Sequence, residues 1–175
     1  MVNVGATAFV WCVASLIAGA PATVSAQQNQ AGQARTATLT VAGDIISPLS
    51  LSPADLKDMP RTSVEVTADG WTLTYEGVLV GEILKRAGVP LGDALRADAV
   101  ASYVLAGASD GYQVVFSLAE LDPAFTNNDI ILADTVDGEP LSADQGPVRI
   151  VAPNDSRGAR SIRMLERLEV IGLRN

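Results

Sequence analysis

Short runs in which apolar and polar residues alternate dominate the chain after residue 37, and this period of two predicts β-strands rather than long helices. The clearest example covers residues 63–75, where Val64 and Val66 alternate with polar residues as far as Asp69-Gly70. Asp-Gly is a preferred pair for a two-residue hairpin turn, and large apolar side chains follow it at alternate positions. Residues 63–75 are therefore predicted to form a β-hairpin.

The remaining predicted elements are also short. Further strands are predicted over residues 38–46, 103–105, 112–116, 130–133, 148–152 and 168–171, with the wholly apolar run 130–133 as a central strand. Helices are predicted over residues 53–59, 82–87 and 117–121, a helical turn over 91–98, and an irregular or helical segment over 156–165. Ser52 with Asp55, and Ser117 with Glu120, have capping-box spacing, and Asp93 is a candidate cap. Strands and helices mix without regular β-α-β alternation, so the predicted fold class is α+β.

The first 36 residues differ from the rest of the chain. Residues 6–20 are apolar, the small residues Val24-Ser25-Ala26 follow, and the chain then becomes polar. This layout predicts a secretory signal peptide over residues 1–26. An uncleaved anchor is the alternative, but the apolar run is shorter than the roughly 20 residues of a membrane span. We therefore expect a flexible leader over 27–36, one domain over 37–175, a periplasmic or secreted location, and no membrane span after cleavage.

Composition excludes several kinds of site. The chain has no His, and its one Cys, Cys12, lies in the predicted signal peptide. The mature protein would therefore have no disulfide, no Ser-His or Cys-His nucleophile pair, and no thiolate or imidazole ligand for zinc, copper or haem. The acidic residues between 134 and 144 lack EF-hand spacing, so no metal site is predicted. The net charge of −8 argues against nucleic acid or anionic lipid as a partner.

Several short motifs occur in an order that can be compared with a known family. They are Tyr75-Glu76-Gly77-Val78-Leu79, Ser109-Asp110-Gly111-Tyr112, Leu132-Ala133, Asp137-Gly138-Glu139-Pro140-Leu141, Gly146-Pro147-Val148-Arg149-Ile150-Val151-Ala152-Pro153 and Arg157-Gly158-Ala159-Arg160-Ser161-Ile162-Arg163. This order resembles the oxidoreductase molybdopterin-binding domain family, which includes sulfite oxidase. The resemblance implies a sulfite-oxidase-like fold of mixed β-sheets with short helices, and molybdopterin as the cofactor.

The resemblance also implies where the cofactor would be held. Family members that do chemistry bind molybdenum through the pterin dithiolene and one cysteine thiolate, which is expected here between Val64 and Tyr75. No Cys stands in that region, and neighbouring hard ligands replace a thiolate poorly, so no catalytic residue is predicted. The pterin pocket can persist without the metal. Its phosphate is expected to meet the residues Arg149, Arg157, Gly158, Arg160 and Arg163, since guanidinium groups and backbone N–H groups bind phosphate.

The same residues also have ordinary structural interpretations. The spacing of Arg160, Arg163 and Arg167 suits one exposed helix face, paired with Glu166 and Glu169. The Asp-Gly pairs at 110 and 137 are explained by turn geometry alone. Trp71 and Tyr112 are alternatively core aromatics rather than stacking surfaces.

Three functions remain open at this point. The first is an exported, catalytically degenerate binding module for a pterin-like or other anionic ligand, or for a periplasmic protein partner. The second is a molybdopterin-dependent oxidoreductase whose metal has no cysteine ligand. The third is a structural or interaction subunit of a periplasmic redox or signalling system.

Overall fold

The structure, a computed structural model, describes residues 39–172, and within them the chain forms ten β-strands, two α-helices and four 3₁₀ helices. The strands are β1 (Leu39–Gly43), β2 (Leu49–Leu51), β3 (Thr62–Ala68), β4 (Trp71–Leu79), β5 (Tyr103–Ala108), β6 (Gln113–Ser117), β7 (Ile131–Val136), β8 (Glu139–Pro140), β9 (Arg149–Val151) and β10 (Leu165–Ile171). The α-helices are α1 (Pro53–Lys57) and α2 (Val80–Arg86), and the 3₁₀ helices cover Gly92–Ala94, Ala97–Ala101, Ala119–Leu121 and Gly158–Arg160. The predicted α+β class is confirmed.

The strands form two five-stranded sheets. The first has the order β2-β1-β10-β5-β6, in which β1 and β10 are parallel and the other neighbours are antiparallel. The second has the order β3-β4-β7-β8, with β9 also paired to β7. The strand β7 contacts β4, β8 and β9, which confirms the prediction that the apolar run at 130–133 belongs to a central strand.

The main hydrophobic core joins the two sheets. Its members come from β1, β5, β6 and β10 of the first sheet and from β4, β7 and β9 of the second, together with Ile83 and Leu84 of α2. A smaller cluster contains Val64, Tyr75, Ile131, Ala133 and Val151. Because successive strand residues point to opposite faces, this cluster lies on the other face of the second sheet. Arg149, two residues before Val151 on β9, belongs to that same face.

Local turn and capping predictions are confirmed. Asp69 and Gly70 have φ values of 53° and 83°, and they connect β3 to β4 in a paired hairpin. At the start of α1, Ser52 Oγ accepts a hydrogen bond from the Asp55 N–H at 3.3 Å, and Asp55 Oδ2 accepts one from the Ser52 N–H at 2.7 Å. These bonds fix the entry into the helix.

Some sequence expectations are wrong. The helical turn predicted over 91–98 is present as parts of two 3₁₀ helices, but Asp93 lies inside the first of them instead of capping it. Arg160, Arg163 and Arg167 do not share a helix face, because Arg160 ends a 3₁₀ helix and Arg167 lies in β10.

Two aromatic residues also lie outside the core. Trp71 is 78% exposed and Tyr112 is 49% exposed.

No helix within residues 39–172 has the length and apolarity needed to cross a membrane. The predicted signal peptide over 1–26 and the leader over 27–36 lie outside the described residues.

Candidate functional site

The candidate site is built by the chain that follows β9. This chain turns back along the strand, because Ile150 N–H donates to the Ile162 carbonyl at 2.9 Å and Ala152 N–H donates to Ser161 Oγ at 3.1 Å. Ser161 and Arg163 are thereby brought next to Arg149 on β9.

Arg149 is partly buried and binds only uncharged acceptors. Its Nη1 donates to Gln145 Oε1 at 2.9 Å and to the Tyr75 hydroxyl at 3.3 Å, and its Nη2 donates to the Ser161 carbonyl at 3.1 Å. The guanidinium carbon lies 5.0 Å from the centre of the Tyr75 ring. The Nε of Arg149 is buried and has no hydrogen-bond partner among residues 39–172.

The electrostatic surroundings of Arg149 reflect this lack of a counter-ion. Burial is the main cause that lowers the pKa of Arg149, and the positive charge of nearby Arg163 lowers it further, against the opposing effects of Tyr75 and Asp144. Asp144, whose negative charge acts on Arg149, is exposed and pairs loosely with Arg163 at 3.8 Å. An arginine stays protonated under these conditions, so the site keeps a positive charge.

Arg160, in contrast, is fully engaged by carboxylates. Its Nε and Nη2 donate to the two oxygens of Asp155 at 2.8 and 2.7 Å, and its Nη1 donates to Glu120 Oε2 at 2.7 Å. The hydrogen bonds that Arg160 donates to Asp155 and then to Glu120 raise its pKa. The guanidinium also lies 5.1 Å from the centre of the Phe116 ring. Arg160 therefore ties the turn after β6 to the turn after β9, and each of its three nitrogens already donates to a carboxylate.

Two of the other predicted residues, Gly158 and Arg163, line a pocket of about 260 Å³. It is lined by Asp110, Tyr112, Gly158, Ala159, Ser161, Ile162 and Arg163. Tyr112 forms part of the wall and donates from its hydroxyl to the Ala159 carbonyl at 3.0 Å. Arg163 is 57% exposed, and Arg157 is exposed but does not line this pocket. The structure thus brings Arg149, Gly158 and Arg163 to adjoining positions through Ser161, whereas Arg157 lies outside the pocket and Arg160 is neutralised.

Tyr75, Gln145 and Ser161 orient Arg149, and no sequence pattern predicts this role for them. Tyr75 is predicted on a hairpin face and in a family motif, Ser161 only in a family motif, and Gln145 has no predicted ligand-binding role. The bond between Arg149 and Tyr75 joins residues 74 positions apart, so no local pattern signals it.

The region expected to carry the metal-binding cysteine is the β3–β4 hairpin. A two-residue turn closes it, and Thr67 Oγ1 and Thr72 Oγ1 lie 2.8 Å apart beside that turn. Residues 39–172 contain neither Cys nor His, and no three of their acidic side chains come together as a possible metal site. These donors do not fit molybdenum of the kind the resemblance implies. Arg149 has a buried N–H without a partner and no hydrogen-bonded carboxylate among residues 39–172, so it does fit an anionic group such as the phosphate of a pterin cofactor.

Comparison with known proteins agrees with this architecture. The family model of the oxidoreductase molybdopterin-binding domain matches residues 25–174. Among solved structures, the fold is similar to the sulfane dehydrogenase SoxCD from Paracoccus pantotrophus, with a TM-score of 0.59 and 21% sequence identity. That alignment covers 76% of this chain and 37% of the other chain, so this chain spans well under half of that protein. No curated protein sequence matches. Because the family match extends over most of the sequence, the chain belongs to the oxidoreductase molybdopterin-binding domain family.

Proposed function

We propose that this protein is an exported binding module of the molybdopterin-binding fold that has lost catalysis and binds a pterin-like or other anionic ligand at Arg149 and Arg163. The observation that carries the proposal is the partly buried guanidinium of Arg149, whose hydrogen bonds all go to uncharged acceptors. The predicted signal peptide supports export, and the family supports a pterin-like ligand.

The charge of Arg149 is the physical reason to expect an anion. Removing an ion from water without a counter-ion costs several kcal/mol, so buried charges are normally paired. This chain has 20 acidic residues against 12 basic ones, yet within residues 39–172 no carboxylate is hydrogen-bonded to Arg149. A bound anion would supply the missing charge, and the planar guanidinium can contact two of its oxygens. Arg163, exposed at the neighbouring pocket, would attract the same ligand.

Loss of catalysis is proposed on the chemistry of the available ligands. In family members the metal is held by a soft thiolate, and the hairpin between Val64 and Tyr75 offers only hydroxyl and carboxylate oxygens. Such hard ligands favour a different class of metal ion. When a molybdopterin is bound, this chain's residues would hold the anionic part of the cofactor and supply no thiolate.

The test is made on the full chain, expressed with its own N-terminal segment in a host that makes molybdopterin. Molybdenum is measured by mass spectrometry, and pterin by fluorescence after oxidative release. We expect pterin with much less than one equivalent of molybdenum. Molybdenum and pterin both near one equivalent would overturn the loss of catalysis and support the oxidoreductase alternative.

A second measurement tests the binding residues directly. Inorganic phosphate should raise the melting temperature of the chain, because a ligand that binds the folded state stabilises it. Arg149→Gln should abolish this rise, whereas Arg167→Gln, a matched change on the exposed surface of β10, should keep it. If the protein lacks pterin and phosphate has no effect, the binding proposal fails, and the structural or interaction subunit becomes the better explanation.

A further inference from the structure

A second cavity lies on the outer side of α2 and shares no residue with the Arg149 site. Its volume is about 400 Å³, within the roughly 300–1,000 Å³ of small-molecule pockets. The cleft is lined by Gly81, Glu82, Lys85, Val89, Pro90, Leu91, Gly92, Ala94, Asp122 and Pro123. The lining is mainly apolar, with charged groups restricted to three side chains.

The walls of this cleft are fixed by close backbone packing. A Cβ atom at Gly81 would fall 2.5 Å from the Leu121 carbonyl oxygen, so α2 can approach the segment before Pro123 only with glycine at that position. Gly92 has a φ of +62°, and a Cβ built there meets no atom within 4 Å. The two prolines in the lining have no N–H to donate, and Lys85 is the one cationic donor among the lining residues.

Charge in the cleft favours a cation. Asp122 is only 3% exposed, and its oxygens accept hydrogen bonds from the Gly92 N–H at 2.5 Å and the Ala124 N–H at 2.9 Å. A carboxylate has about four acceptor positions, and no salt bridge among residues 39–172 involves Asp122.

The rim of the cleft adds a second carboxylate. Glu82 is paired only loosely with Lys85 at 4.0 Å, and the Lys85 side chain is 71% exposed. The lining therefore holds two carboxylates and one exposed ammonium group, and the balance of charge is negative. A cationic group that entered the cleft would be attracted, and an anionic group would be repelled.

We propose that this cleft binds a small apolar molecule that carries one ammonium group. The apolar part contacts Val89, Leu91 and the two prolines, and the ammonium group lies toward Glu82 and Asp122. This binding involves none of the residues at the Arg149 site, so its success or failure is independent of the anion-binding function.

The test uses three probes of similar size and different charge on the full chain. These are 2-phenylethylammonium, phenylacetate and benzyl alcohol, each titrated while amide signals are followed by NMR. We expect saturable shifts at Gly81, Gly92 and Ala94 with the ammonium probe, weaker binding of the alcohol, and none of the anion. Equal or tighter binding of phenylacetate, or no saturable shift with any probe, would overturn the proposal.

Two variants separate charge from shape. Glu82→Gln should weaken binding of the ammonium probe by about threefold or more, as expected for one partly exposed ion pair. Glu65→Gln makes the same change at an exposed position on β3 and should leave binding unchanged. Ala94→Trp should fill the cleft and abolish binding while the circular dichroism spectrum stays that of the folded protein. Identical affinities in Glu82→Gln and Glu65→Gln, or retained binding in folded Ala94→Trp, would contradict the assignment.

Discussion

The Tyr75 hydroxyl accepts a 3.3 Å hydrogen bond from Arg149, whose guanidinium carbon lies 5.0 Å from the centre of the same ring. Tyr75 is 6% exposed and belongs to the smaller hydrophobic cluster. One aromatic side chain thus packs in the smaller cluster of the second sheet and positions the candidate ligand-binding arginine through its ring and hydroxyl.

Replacing Tyr75 with Phe isolates the hydroxyl from the ring. Tyr75→Phe should lower the free energy of unfolding by about 1 kcal/mol, the usual value of one buried hydrogen bond, as measured by urea denaturation. Tyr103→Phe is the matched control, because the Tyr103 hydroxyl has no hydrogen-bond partner among residues 39–172. Equal effects of the two substitutions would show that the Tyr75 hydroxyl contributes nothing specific.

Arg160 is expected to be a structural residue, although the family motif alone groups it with the ligand-binding arginines. Arg160→Gln leaves Glu120 and Asp155, whose side chains are 21% and 19% exposed, without their cation. We expect a loss of about 2–4 kcal/mol in unfolding free energy, because partly buried carboxylates would be left unpaired. Arg163→Gln, at a 3.8 Å exposed pair, should change stability by less than about 0.5 kcal/mol. A similar small effect at both positions would refute this difference in role.

Local chemistry made much of the fold predictable. The Asp69-Gly70 turn and the Ser52–Asp55 capping box depend on backbone conformations and hydrogen bonds that span three residues or fewer. The same is true of Ser117 and Glu120, whose reciprocal bonds of 2.7 and 3.2 Å precede the 3₁₀ helix Ala119–Leu121. The residue types at these positions are sufficient to specify the geometry.

The candidate site was less predictable because its contacts are long-range. Arg160 and Glu120 are 40 positions apart, and no motif indicates that they pair. Trp71 is exposed because the hairpin ends beyond the smaller cluster, with exposure rising from Tyr75 at 6% through Leu73 at 37% to Trp71 at 78%. Alternation predicts the face of the strand, but only the packed sheet determines how far along that face burial extends.

Gly77 is expected to be essential for the pairing of β4 with β7. A Cβ at this position would lie 2.0 Å from the Leu132 carbonyl oxygen, which is backbone and cannot rotate away. Gly77→Ala should therefore lower the unfolding free energy by about 3 kcal/mol or more. Gly138→Ala is the matched control: its Cβ meets nothing within 4 Å, and its φ of +82° costs about 1–2 kcal/mol. Equal destabilisation in thermal unfolding would contradict the steric explanation.

A bidentate ion pair links the chain before β3 to the middle of β7. Arg61 Nη1 and Nη2 donate to the two oxygens of Asp134 at 2.8 and 2.6 Å, and Thr135 Oγ1 donates to the same carboxylate at 2.8 Å. Burial alone would raise the pKa of Asp134, but the hydrogen bonds from Arg61 and Thr135 outweigh it and hold that pKa below its usual value.

This lowered pKa predicts how stability depends on pH. A carboxyl group with a lower pKa in the folded state contributes its full stabilisation above its unfolded pKa of about 3.9, and loses it as pH falls through the folded pKa. Asp134→Asn should therefore lower the unfolding free energy at pH 7 by about 2–3 kcal/mol, and the difference from wild type should shrink below about pH 4. Urea unfolding between about pH 2 and 7 measures this difference in unfolding free energy. The two limits lie about two to three pH units from the unfolded pKa. The exposed control Glu65→Gln should show no such loss at pH 7. A wild-type advantage over Asp134→Asn that stays constant across this range would mean that the stabilisation does not come from the ionised carboxylate.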